Sequence, residues 1–261
     1  MALSPAVFQA DNLIWQVPNK RILDELSFSV AQGEFVGLIG PNGAGKSSLL
    51  RCLYRKIIPS SGNVEFQGQP ITQYSAKSLA QKIAVVLQEP PSHFELSVMD
   101  VISMGLTPHK SLLSFDTQED RERVIRAAKD VDLEDKLDQL FNNLSGGEKQ
   151  RAMIARAIVQ QPSVLLMDEP TNHLDVRHQL EVLSIAKQLN ITVIVSIHDL
   201  NLAAAFCNRF ILLDKGRIIA NGSFDQVLTE QHLLSVFGVK AKIDQHPFHG
   251  GPRITFDLGA N

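Results

Sequence analysis

The chain has 261 residues, a formal net charge of −3, 44% hydrophobic and 20% charged residues, and two cysteines. That length supports one sizeable core. With no basic field and no arginine-rich segment interleaved with aromatics, the composition excludes nucleic acid as a partner. Cys52 and Cys207 fall in predicted helices and fit a reducing compartment. With no signal peptide and no apolar run of about 18 residues, the chain is expected neither to leave the cytoplasm nor to span a bilayer.

In chain order, Val7 to Val17 and Leu26 to Val30 read as antiparallel strands joined by Pro18-Asn-Lys-Arg21. Phe35 to Ile39 is an apolar run that predicts a buried strand. It leads into Gly40, Pro41, Asn42, Gly43, Ala44, Gly45, Lys46 and Ser47, the P-loop pattern G-x4-G-K-[ST]. Glycines at 40, 43 and 45 let backbone N–H groups converge on phosphate oxygens, where a Cβ would obstruct the approach or forbid the dihedrals. Lys46 adds a point charge at the β- and γ-phosphates. A helix from Lys46 to Lys56 aims its N-terminus, with Ser47 and Ser48 in its first turn, at the same anion. The Ser47 hydroxyl is offered to Mg²⁺.

Ile83 to Leu87 is a further apolar strand, with Gln88 at its end. From there to Pro162 the pattern turns helical, and Thr117-Gln-Glu-Asp120 caps an amphipathic helix through Val131. Leu144, Ser145, Gly146, Gly147 and Glu148 read as a helix N-terminus with a capping box, Ser145 as N-cap and Glu148 at N3, opening the run Lys149 to Val159. Its two glycines leave N–H groups uncovered at the positive end of a helix dipole, a second anion site. One nucleotide cannot use both glycine-rich sites within one protomer, so the pair predicts a dimer. Val164 to Asp168 predicts a parallel-sheet strand ending in two carboxylates, Asp168 and Glu169, before Pro170. Asp175 is placed to cap a helix from Val176. Ile191 to Ile197 is another buried strand, with His198 and Asp199 at its carboxyl end. A strand around Ile211 meets a hairpin turn at Asp214-Lys-Gly216, and the segment after Gly238 is too short for a regulatory domain.

Taken together and in this order, the motifs resemble those of the nucleotide-binding subunit of an ATP-binding cassette (ABC) transporter, over nearly the whole chain. The resemblance implies an α/β fold: a P-loop NTPase (RecA-like) core with an antiparallel β subdomain and a helical signature subdomain. Residues 1–88 and 163–240 would form the core, 89–162 the helical part and 241–261 a tail. ATP and Mg²⁺ would be bound. LSGGE of one protomer, through Ser145, Gly146 and Gly147, would close over the γ-phosphate held by the other's P-loop. By the same resemblance Asp168, Ser47 and the Q-loop residue Gln88 would hold Mg²⁺. Glu169 would act as general base, and His198 would sense the γ-phosphate. His173-Leu-Asp175 resembles the D-loop that crosses the dimer interface. Where many relatives stack an aromatic on adenine this chain has Val17; Trp15, two residues earlier, is the candidate substitute, with a half-buried tryptophan as the alternative.

The segment Ser97 to His109, including Gly105 and the Pro108-His109 pair, is similar to that of ATPases importing ferric siderophores, haem and cobalamin. Leu106 departs from their usual arginine. Asp175 to Gln179, Ser196 to Leu202 and Leu234 to Val239 extend the similarity. The resemblance implies a homodimer with two membrane-spanning permease subunits and, indirectly, a substrate-binding protein. The ATPase would sit peripherally at the cytoplasmic face of the inner membrane, with residues 88–112 receiving a coupling helix. It would energise uptake of an iron–siderophore complex. Haem or cobalamin import is the alternative, and an exporter or a soluble non-transport ATPase is more distant. His246 and His249 lack accompanying carboxylates or cysteines, and Pro247 and Gly250 argue against a helix, so no metal site is expected there. His93 and His109 read as interface or surface residues.

Overall fold

The computed structural model describes residues 6–87, 95–111, 115–248, 250–257 and 259. Two compact units divide the chain: Met1–Gln73 with Ile194–Asn261, and Tyr74–Val193.

The first unit opens with β1 (Ala6–Val17) and β2 (Lys20–Ala31), an antiparallel pair in which Ala10 faces Phe28 and Val17 faces Lys20. Phe8, Ala10, Leu13, Leu23, Leu26, Phe28 and Val30 are buried, while intervening residues such as Gln9, Asp11 and Ser27 face water, as a one-sided sheet requires. The second strand begins six residues before the predicted Leu26. Polar Lys20, Arg21 and Asp24 obscure it, and register shifts near Asn12 and Leu13, with Glu25 at φ 57°, break the two-residue period that reveals a strand. The joining turn is accordingly tighter than expected, with Asn19 left-handed at φ 63°. β3 (Phe35–Ile39) is buried throughout and runs through the glycine loop into α1 (Lys46–Leu53). That helix stops three residues short of the expected Lys56, because the chain turns left-handed at Arg55. β4 (Ser61–Phe66) and β5 (Gln69–Pro70) then complete a four-stranded sheet in the order β2-β1-β4-β5, with the Phe66 ring 5.1 Å from that of Phe8.

The second unit comprises α2 (Ala76–Lys82), β6 (Ile83–Val86), α3 (Val98–Ser103), α4 (Gln118–Lys129), α5 (Gly146–Val159), β7 (Val164–Asp168) and α6 (Val176–Gln188). β6 and β7 pair in parallel, Ile83 with Val164 through Val86 with Met167. The capping boxes expected at Thr117 and Ser145 both form, and a third holds α3 at Ser97 and Asp100. α5 is the buried axis of this unit, with Ala152 through Ala155 all inaccessible. Around its C-terminal end, Arg156 Nη2 donates to Val85 O at 3.2 Å and Gln160 Nε2 to Ile83 O at 2.9 Å. A 3-10 turn over Met104–His109 presses close: a Cβ on Gly105 would lie 2.1 Å from Arg156 O. His109 Nε2 is 2.8 Å from Gln160 O.

β8 (Thr192–Ser196) contains the division between the units, and the chain then completes the first unit. There α7 (Leu200–Phe206) precedes β9 (Arg209–Asp214), which lies parallel to β3, and β10 (Arg217–Gly222) returns antiparallel around the expected turn. After α8 (Phe224–Val227) and α9 (Glu230–Phe237) the tail folds into an unforeseen hairpin, β11 (Ala241–Gln245) with β12 (Pro252–Phe256). Asn201 of α7 fastens it twice: Nδ2 donates to Ile254 O at 3.1 Å and Oδ1 accepts from Ile254 N at 2.8 Å. Among the described residues no helix is long and apolar enough to cross a membrane.

Candidate nucleotide-binding site

The loop from Gly40 to Ser47 is shaped by three glycines with positive φ, 144° at Gly40, 79° at Gly43 and 107° at Gly45. Two of them are also needed for space. A Cβ at Gly40 would stand 2.1 Å from Leu213 O, and one at Gly45 2.9 Å from Leu23 Cδ2 and 3.0 Å from Ile22 O. At Gly43 a Cβ would meet nothing within 4 Å, so only the left-handed dihedral calls for glycine there. The loop is propped from behind by the β9–β10 turn. Gly216 N donates to Ala44 O at 3.0 Å, and Gly216 O accepts from Asp24 N at 2.8 Å. This support was not legible in the sequence, where Asp214-Lys-Gly216 reads only as a hairpin turn.

Lys46 is 4% exposed, and its ammonium donates to Gly40 O at 2.8 Å and Pro41 O at 3.2 Å, spanning the loop it closes. Pro41 O also accepts from Ala44 N at 3.2 Å, so Asn42 and Gly43 form the exposed tip. Gly45 occupies the N-cap of α1 without a side chain to cover the amides of Lys46, Ser47 and Ser48, and Ser47 and Ser48 are both half-buried. A concave backbone kept clear of Cβ atoms, a helix N-terminus and a lysine together fit a polyphosphate.

In the second unit, β7 delivers Asp168 at its C-terminal end, 7% exposed, followed by Glu169 in the left-handed region at φ 50°. A non-glycine residue there holds a backbone strained by about 1–3 kcal/mol. The turn is secured by Asn172: its N–H donates to Glu169 O at 3.2 Å, and its Nδ2 donates to Glu169 Oε2 at 2.6 Å. Asn172 therefore orients that carboxylate, a role sequence reasoning missed because Pro170-Thr-Asn172 reads as ordinary turn chemistry. The next residues are stitched to α6 by Gln179, whose Nε2 donates to Thr171 O and Leu174 O at 3.2 and 3.1 Å. Asp175 caps α6, accepting from His178 N at 3.0 Å.

The N-terminus of α5 presents Ser145 and Gly146 to solvent, with Gly147 buried beneath. Glycine is obligatory at 147 for packing, since a Cβ would stand 2.5 Å from the His178 ring. Glu148 Oε2 accepts from Ser145 N at 2.8 Å and Ser145 Oγ at 2.9 Å, and Oε1 accepts from the Lys136 ammonium. The Lys136 bond, with the Ser145 amide behind it, lowers the Glu148 carboxyl from 4.5 to about 2. A depressed folded-state value means that the stabilisation is complete above about pH 4.5 and is lost as pH falls toward 2.

Other expected residues are less central. His198 is half-buried beside Asp199, which caps α7 by accepting from Asn201 N and Leu202 N. Trp15 is half-buried and pairs with Leu23. A nearby surface cavity of about 460 Å³ is lined by Gln16, Val17, Lys20, Arg21 and Ser60, with Trp15 not among its lining residues. Gln88, His93 and His249 lie outside the described residues.

A glycine-shaped loop closed by a buried lysine in the first unit, and an adjacent aspartate and glutamate at the end of a buried strand in the second, are the equipment of a P-loop ATPase. The sequence profile of the family described as ABC transporter matches residues 23–172, and the chain belongs to that family as one of its ATP-binding, ATP-hydrolysing subunits. It is 37% identical over 254 residues to the Hemin import ATP-binding protein HmuV of Bordetella avium (strain 197N), covering 93% of this chain and 96% of that one. To the Ferric enterobactin transport ATP-binding protein FepC of Escherichia coli (strain K12) it is 32% identical over 258 residues, covering 97% and 95%. A solved inward-facing structure ascribed to the metal-chelate type of ABC transporter superposes with a TM-score of 0.86 at 27% identity, covering 97% of this chain and 98% of that one.

Proposed function

We propose that this ATPase powers import of an iron–siderophore complex through membrane subunits that are separate polypeptides, working as a homodimer at the cytoplasmic face of the membrane. A substrate-binding protein would deliver the cargo to those permeases. The observation that carries the reading is that one chain holds two glycine-rich helix N-termini suited to anions, the Gly40–Ser47 loop before α1 and the capped start of α5, which two protomers could use reciprocally on two nucleotides. The ferric enterobactin relative supports a siderophore cargo. The hemin import relative, at 37% identity, favours haem as the second reading.

In this reading the loop amides and Lys46 bind the β- and γ-phosphates of ATP. Mg²⁺ would supply positive charge there to offset the negative charge that develops on the transferred phosphoryl group. Ser47, Gln88 and Asp168 are the hard oxygen donors suited to it. Glu169, its carboxylate oriented by Asn172, accepts a proton from the water that attacks the γ-phosphorus as the bond to the ADP oxygen breaks. His198 hydrogen-bonds the γ-phosphate, and Ser145, Gly146 and Gly147 reach the nucleotide of the partner protomer. Residues 88–112 receive the membrane subunit.

The test is uptake of labelled ferric siderophore, haem and cobalamin in cells lacking the gene, complemented with the wild type or with Glu169→Gln. Selective loss of siderophore uptake, restored by wild type and not by Glu169→Gln, is the expected result. Selective loss of haem uptake would establish the second cargo, and normal uptake of all three would reject import of this class.

A further inference from the structure

The N-terminus proposed to receive a partner's phosphate carries a carboxylate in its first turn. Glu148 is favourable to its own helix dipole, but a fixed negative charge there repels an arriving triphosphate. It also engages the Ser145 hydroxyl, the donor proposed to serve that phosphate. The offset comes from outside the helix. Lys136 closes the 3-10 turn Glu134–Lys136 and sets its ammonium on Glu148 Oε1, the oxygen that Ser145 does not use. The other members of that turn, Glu134 and Asp135, are acidic and exposed, so Lys136 is its single positive charge. The side chains of Lys136 and Glu148 are 35% and 18% exposed, partly shielded from the screening that makes open surface pairs weak. An ammonium on Oε1 draws density from the carboxylate and loosens the hold of Oε2 on the Ser145 hydroxyl.

We infer that Lys136 is a positioning residue for nucleotide-driven closure: by neutralising Glu148 it lets the signature helix of one protomer accept the γ-phosphate held by its partner and frees Ser145 to donate to it. The inference rests on the dimer reading above. It extends that reading to an electrostatic pair assembled from two separate elements of the second unit.

The experiment uses the full chain in a Glu169→Gln background, with ATP-driven dimerisation followed by sedimentation and monomer ATP affinity measured in parallel as a report on folding and on the Lys46 loop. Lys136→Met should raise the ATP concentration for half-maximal dimerisation by about tenfold or more, with monomer affinity unchanged, and Lys136→Arg should restore it. Adding Glu148→Gln to Lys136→Met should recover most of the loss, because the charge that needed an offset is gone. A merely structural lysine would not be rescued in this way. Unimpaired dimerisation of Lys136→Met, or a defect that persists in the double variant, overturns the inference. A Glu169→Gln parent that stays monomeric at saturating ATP removes the dimer reading and the inference together, which distinguishes that failure from the other two.

Discussion

Gly40 and Gly43 occupy the same loop for different reasons, and the difference is measurable. Alanine at 40 would drive a Cβ to 2.1 Å from a β9 carbonyl, whereas alanine at 43 meets open space and only a left-handed dihedral. Gly40→Ala should therefore lose about 2–4 kcal/mol of stability and most nucleotide affinity. Gly43→Ala should lose only about 1–2 kcal/mol. Denaturant unfolding and nucleotide titration of the two variants read both quantities, and equal losses would show that sterics behind Gly40 are relieved by movement. At this scale the residue types of the loop were readable from spacing alone. Asn172 and Lys136 were not, because each acts through a carboxylate whose position depends on folded geometry, and neither residue type is unusual in a turn.

Among the elements, α5 links the signature end at Ser145 to the base of β6 through Arg156 and Gln160, and the 3-10 turn over Met104–His109 is wedged against its last turns. Contact between Gly105 and the Arg156 carbonyl leaves no room for a methyl group. Gly105→Ala should lower stability by about 1–3 kcal/mol through overpacking, read as a fall in melting temperature while ATP affinity at the Lys46 loop is kept. An unchanged melting temperature would mean the turn can retreat. The buried strands and capped helices were legible because apolar runs and Ser/Thr-x-x-acid patterns are local signals. β4 and the front half of β2 were not, since polar residues and register shifts hide the alternation. The tail hairpin was invisible for a related reason: the residues of β11 and β12 are exposed or half-buried, with only Ile254 buried.

For the whole molecule, the compact division at Tyr74–Val193 groups α2, β6, β7 and α6 with the helical segment, a wider unit than the 89–162 insertion expected from sequence. Helical periodicity marks where helices begin, whereas compactness follows contacts such as β6 with β7, which lie far apart in the chain. Deleting residues 241–261 should therefore do more than shorten the protein. It exposes the buried face met by Ile254 and strips both bonds from Asn201, so a loss of about 2–4 kcal/mol is expected from one fully buried isoleucine and two hydrogen bonds. Calorimetry of the truncated chain checks it, and an unaltered melting temperature would show the tail to be ornamental.

The two hydrogen bonds between Asn201 and Ile254 also tie the C-terminal hairpin to the start of α7. Asn201 lies in the first turn of the helix that Asp199 caps, three positions after His198. A sequence change within the hairpin should therefore alter how firmly the first turn of α7 is held. On the proposed contact of His198 with the γ-phosphate, exchanging the hairpin sequence should change turnover while leaving nucleotide binding at the glycine loop untouched.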